Sequence, residues 1–130
     1  MIMDLQQKRE AIIRNYIDAY NHFDVEGMLR DFHPAIVFEN SAGGAVNMTL
    51  EGIDAFRGQA EGATQVFAER EQQVEDITFR GDTAEASIRY RGVLAVDIPG
   101  GPQRGDRIEL EGRSIFRFEG DKIVRLTDVS

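Results

Sequence analysis

The chain contains no cysteine, which excludes disulfides, thiolate nucleophiles and sulfur-ligated metal sites. Histidine is scarce: His22 and His33 flank a short predicted helix, and no third ligand accompanies them at metal spacing, so no metal centre is expected. Basic residues are outnumbered, with 15 Lys and Arg against 23 Asp and Glu. A net charge of −8 repels phosphate backbones and anionic bilayers, which sets aside nucleic acid and membrane as partners. Nowhere do about 18 apolar residues run together. Met1 to Glu10 carries charges throughout, unlike the apolar stretch of a signal peptide, and the expected location is cytoplasmic. The pairs Gly43-Gly44 and Gly100-Gly101 fit neither a Walker loop nor a dinucleotide fingerprint and read as turns. What is present is a chain of 130 residues, 42% of them hydrophobic, enough for one domain with one core.

Helical spacing governs the first part. Leu5, Ile12, Ile13, Tyr16, Ile17, Tyr20 and Phe23 recur at three- and four-residue steps, an apolar stripe on a helix over about residues 4–22. Asp24 reads as the N-cap of a short helix that buries Met28, Leu29 and Phe32, and His33-Pro34 ends it. From Ala35 the period becomes two, with Ile36, Phe38 and Asn40 on one face of a strand. A turn at 41–46 leads to a short returning strand, and Ile53 to Phe67 reads as a third helix. Glu69 to Arg80 and Lys122 to Ser130 read as strands, and Ala84 to Arg91 and Arg107 to Phe118 alternate as half-buried strands between them, the four separated by Gly81-Asp82, a loop at 98–105 and Gly120-Asp121. Helices grouped early and strands grouped late predict an α+β fold, the helices packed on one face of a curved antiparallel sheet.

Alternation also singles out polar residues on apolar faces. Asn40 follows Ile36 and Phe38, Ser114 shares a face with Leu110, Phe116 and Phe118, Asp128 shares one with Val124 and Leu126, and Tyr16 lies within the helical stripe. A carboxyl group withdrawn from water has its pKa raised toward the range of a general base near neutrality. A phenol or amide aimed at a carbonyl oxygen stabilises an enolate more than the ground state. Each residue also has a structural reading: a paired or exposed aspartate, a satisfied core tyrosine, an asparagine on local backbone, a serine bonded to a neighbour.

The run YIDAYNHFDVEGMLRDFHPAIVFEN from Tyr16, the stretch TLEGIDAFR opening the third helix, and the ending RSIFRFEGDKIVRLTDVS resemble the nuclear transport factor 2-like (cystatin-like) superfamily. Within it the chain is most similar to SnoaL-like polyketide cyclases and ketosteroid isomerases. The resemblance spans nearly the whole chain and implies a cone-shaped fold. It places Tyr16 at the isomerase oxyanion donor, but Asn40 where the isomerase has its aspartate base and Ser114 where it has a protonated aspartate. Steroid isomerase activity is therefore disfavoured. It places Asp128 at the acid/base aspartate of the cyclases and Ser114 at their assisting histidine. An epoxide-hydrolase set of Asp–Arg–Asp is matched only in part by Arg113 and Asp128, and Arg113 alternates outward.

These readings converge on proton transfer beside the carbonyl of a small hydrophobic compound, with no cofactor, Asp128 as base, Tyr16 as oxyanion donor and Asn40 or Ser114 assisting. Phe38, Phe56, Phe67, Ile88, Tyr90, Phe116 and Leu126 are the expected lining of an apolar pocket. The resemblance further implies a homodimer formed through the outer sheet face, where Arg89, Arg91, Glu109, Glu111, Arg113 and Arg117 alternate outward. Two alternatives stand beside the enzyme: a module that binds a small apolar ligand without chemistry, and an association domain whose cavity is filled by its own side chains.

Overall fold

Asp4 opens the first helix by accepting from the Gln7 amide at 2.8 Å, while the Gln7 side chain accepts from the Asp4 amide at 3.0 Å, a complete capping box. The computed structural model describes residues 4–130; Met1 to Met3, the start of the charged N-terminal segment, lie outside the described residues. The elements follow as α1 (Leu5–Asn21), α2 (Val25–Leu29), β1 (Phe32–Ala42), β2 (Ala45–Glu51), α3 (Ile53–Thr64), β3 (Phe67–Arg80), β4 (Thr83–Leu94), β5 (Arg107–Glu119) and β6 (Lys122–Val129). The strands form one sheet in the order β2-β1-β6-β5-β4-β3. Every pairing is antiparallel except β1 with β6, which is parallel. The expected α+β architecture of three helices on one face of a curved sheet is what the chain adopts. No described helix is long and apolar enough to cross a membrane.

One burial and two boundaries differ from the sequence reading. Leu5 is 48% exposed, and Arg9 is buried in its neighbourhood instead. Arg9 donates through Nε to the Gly120 carbonyl and through Nη1 to Asp82, both at 3.0 Å, with its guanidinium over Phe118. An amphipathic arginine thus covers the end of the core that a leucine was expected to fill. Phe32 opens β1 rather than closing α2, so His33-Pro34 lies within a strand; the pairing with β6 shifts register between Phe32 and Val37, around the residue without an N–H. The third helix stops at Thr64, and Phe67 begins β3, its ring edge-on to Tyr90.

The end of α1 carries strain. The Asp24 amide donates to the Ala19 carbonyl and the Phe23 amide to the Tyr20 carbonyl, the paired bonds of a Schellman motif. The left-handed position of that motif is usually glycine, but here it is Phe23, at φ 58°. A side chain in that region costs roughly 1–2 kcal/mol. Two contacts fasten this turn to edge strand β3: the Asn21 side chain exchanges hydrogen bonds with the Gln72 backbone, and Arg70 Nε donates to the Tyr20 carbonyl at 2.9 Å.

The core lies between the helices and the inner face of the sheet. Register places Phe38, Leu126, Phe116 and Ala84 side by side across four strands, and all are buried. Tyr16 stacks on Phe32 at 5.6 Å and meets Phe116 edge-on at 5.9 Å. The outer face is polar and cross-linked by ion pairs, including Arg113 with Glu85 at 2.9 Å, Arg91 with Glu71 at 3.0 Å, and Arg125 with Glu39.

Candidate active site

The next row across the inner face is polar. Asn40 on β1 sits opposite Asp128 on β6, which sits opposite Ser114 on β5 and then Ala86 on β4. Three side chains that alternation had put on inner faces of separate strands are thereby neighbours. Ser114 Oγ donates to Asp128 Oδ1 at 2.7 Å, and Ser114 itself is buried. Asn40 Nδ2 donates to Asn47 Oδ1 at 2.9 Å and so turns toward β2.

Asp128, Ser114 and Asn40 line a cavity of about 290 Å³, together with Ile88 and Tyr90 on β4, Gln72 on β3 and Tyr20 on α1. The Tyr20 and Tyr90 hydroxyls lie 3.1 Å apart and share a hydrogen bond, with their rings edge to face. Burial raises the pKa of both phenols. Asp128 makes no ion pair among the described residues. Desolvation pushes its carboxyl from the ordinary 3.8 up to about 6, and the Ser114 hydrogen bond works against that rise by favouring the charged form. A carboxyl group so placed is a carboxylate at neutral pH, yet far more basic than an exposed aspartate.

The other residues singled out from sequence fall elsewhere. Tyr16 is one helical turn from Tyr20 and packs into the core beneath the cavity. Burial holds its pKa well above 10.0, and the negative charge of Asp128 adds to this effect. Phe38, Phe56, Phe116 and Leu126 are core side chains, and Phe67 is half-buried against Tyr90, so of the expected apolar lining Ile88 and Tyr90 face the cavity. Tyr20 and Gln72 were missed as lining residues: Tyr20 had been counted only as helix stripe, and the polar sequence of β3 gives no inward face by alternation. Arg113 points outward to Glu85. Among the described residues no three His, Asp or Glu side chains are grouped so as to hold a metal ion.

Gly112 sets the cavity edge. A Cβ there would lie 2.5 Å from the Val129 carbonyl oxygen, a backbone atom with little room to retreat. Gly112→Ala is expected to cost about 1–3 kcal/mol, the range for overpacking, and to displace the strand end carrying Asp128. Urea denaturation measures the first effect, and the chemical shifts of Asp128 and Val129 report the second.

A curved six-stranded sheet with three helices on its inner face is a nuclear transport factor 2-like fold. More narrowly, the chain belongs to the SnoaL-like domain family, whose profile matches residues 13–126. A candidate SnoaL-like polyketide cyclase from Jannaschia sp. CCS1 superimposes with a TM-score of 0.82 at 14% identity, covering 98% of this chain and 88% of that one. A candidate polyketide cyclase from Xanthomonas campestris pv. campestris gives 0.80 at 21% identity, covering 98% and 93%. A hypothetical protein with a ketosteroid isomerase-like fold from Catenulispora acidiphila, solved in complex with trimethylamine, gives 0.73 at 16% identity, covering 90% and 82%. Among curated proteins no significant sequence match was found. The structural likenesses show the fold, and the family suggests cyclase- or isomerase-type chemistry or ligand binding.

Proposed function

We propose that the Asp128 cavity takes a small hydrophobic carbonyl compound and moves a proton next to its carbonyl group. The observation that carries this reading is the Asp128 carboxyl group at the wall of a cavity, bonded to Ser114 and beside Asn40, with no cation paired to it among the described residues. Desolvation there raises its pKa. Asp128 removes a proton from the carbon beside the carbonyl and becomes a carboxylic acid, the C–H electron pair forms a carbon–carbon double bond, and the carbonyl π pair moves onto oxygen to give an enolate. A tyrosine hydroxyl donates to that oxygen. Tyr20 supplies it at the cavity wall, in place of the more deeply packed Tyr16. Return of the proton to a different carbon gives an isomer, and attack of the enolate on a second carbonyl gives a ring. The volume is at the low end of the roughly 300–1,000 Å³ of small-molecule sites, which favours a compact substrate.

Native mass spectrometry of freshly purified protein tests for a retained molecule, and carbonyl compounds of that mass class are then assayed for exchange of the adjacent proton with deuterium. Exchange that depends on Asp128 supports proton transfer. A retained molecule with no exchange would leave a binding module in its place. With a substrate in hand, Ser114→Ala is expected to move the lower inflection of the pH–rate profile above about 6, because the lost hydrogen bond had favoured the carboxylate. An unmoved inflection would remove Ser114 from the tuning of the base.

A further inference from the structure

A second recess lies beyond the Tyr20–Tyr90 pair, between the end of α1 and the far end of β3, β4 and β5. It measures about 570 Å³, and its lining includes Phe23, Arg70, Gly92, Val93, Arg107 and Ile108. Arg70 is only 6% exposed. Its Nε is satisfied by the Tyr20 carbonyl, and its guanidinium lies 3.8 Å from the Tyr20 ring centre and 4.5 Å from that of Phe23. Its Nη2, however, is buried with no hydrogen-bond partner, and no carboxylate pairs with it among the described residues. A buried charge with an unmet donor is costly, and native chains seldom keep one without use. Arg91, Val93 and Arg107 border the recess from the outer sheet face, where Arg91 is paired with Glu71, so Arg70 is the cation on the inner side. Phe23, the ring over the guanidinium, is held in a left-handed conformation, and strained backbone is often found at ligand clamps.

We propose that this groove binds the carboxylate of a small, flat organic acid, with Arg70 as the charge that recognises it. The carboxylate supplies the acceptor that Nη2 lacks, in the planar fork that a guanidinium offers. Reaching Nη2 requires the Phe23 ring that lies over the guanidinium to move aside, and Gly92 and Ile108, in the same inner row as Arg70, floor the apolar body of the ligand. Asp18, Glu69 and Glu109 around the recess repel a dianion more than a monoanion, which selects a carboxylate over a phosphate. The inference does not rest on the chemistry of Asp128, since the tyrosine pair stands between the two cavities.

The test is a nuclear magnetic resonance titration of the full chain near pH 7 with benzoate, with its neutral isostere benzamide, and with inorganic phosphate. Benzoate is expected to move the Arg70 side-chain Nε–H resonance and the Phe23 and Gly92 amides; benzamide should leave them in place and phosphate should bind more weakly. Arg70→Lys, which keeps the charge and loses the fork, is expected to weaken benzoate at least tenfold. The proposal is overturned if benzoate leaves those resonances unmoved at millimolar concentration, if benzamide binds as well, or if phosphate binds more tightly. Unchanged benzoate affinity in Arg70→Lys overturns it equally. Should that variant fail to fold, the contrast between benzoate and benzamide on the unaltered chain decides the matter.

Discussion

Asp128→Asn is expected to lower turnover of a substrate by about 10²–10⁴-fold, the usual contribution of a positioned general base, and at the same time to make the fold more stable at pH 8. The sign of the second effect follows from the raised pKa. Between 3.8 and about 6 the folded chain holds this proton more tightly than the unfolded chain, so stability falls as pH rises through that window. Above it the full cost is present, at most roughly 3 kcal/mol for a shift of this size, and less because the residue is partly open to the cavity. Asparagine carries no charge to desolvate and can still accept from Ser114. Melting curves of the two proteins should therefore coincide near pH 3.5 and separate by about 5 °C or more at pH 8. Equal melting temperatures at pH 8 would mean that the carboxyl group is well solvated and would remove the argument for its basicity.

Phe116→Ala is expected to cost about 3–5 kcal/mol, the largest loss of stability for a single side chain here. Phe116 has no exposed surface, packs edge-on to Tyr16, and occupies the middle of the buried row directly below the polar one. Its removal leaves a void under Ser114 and Asp128 that neighbouring strands can close only by moving together. That loss is a large share of the roughly 5–15 kcal/mol by which domains are stable. The denaturation midpoint in urea should fall while the slope of the transition stays the same. A loss below about 1 kcal/mol would indicate a floor loose enough to refill the space.

The inward faces of β1 and β5 were legible from period two alone, because each alternates apolar with polar over several residues. On β6 alternation put Val124 inward with Leu126 and Asp128, whereas a register shift between Arg117 and Phe118 buries Ile123 in its place. That Asn40, Asp128 and Ser114 stand beside one another was not legible, since it depends on β6 lying between β1 and β5, a long-range pairing that no local pattern encodes. Choosing Tyr16 over Tyr20 shows the limit of helical periodicity. Residues four apart share a face, and only the depth of each ring along the sheet separates a core residue from a cavity wall. Arg70 gave no signal at all. Glu69 to Gln73 reads as a solvated polar run, and it took the docking of α1 against β3 to enclose one member of it.

The placement of β6 bears on how the molecule is made as well as on what it holds. It is the last strand in sequence but lies at the centre of the sheet, parallel to the first strand and antiparallel to the one before it. Until it docks, β1 and β2 form one ribbon and β3, β4 and β5 another, each with an open edge. Hairpins within the two ribbons can form early from local contacts, whereas the join must await a closure across most of the chain, a slow step by its topology. The residue proposed as the base arrives with that closing strand, so a partly folded chain has no cavity chemistry to misdirect.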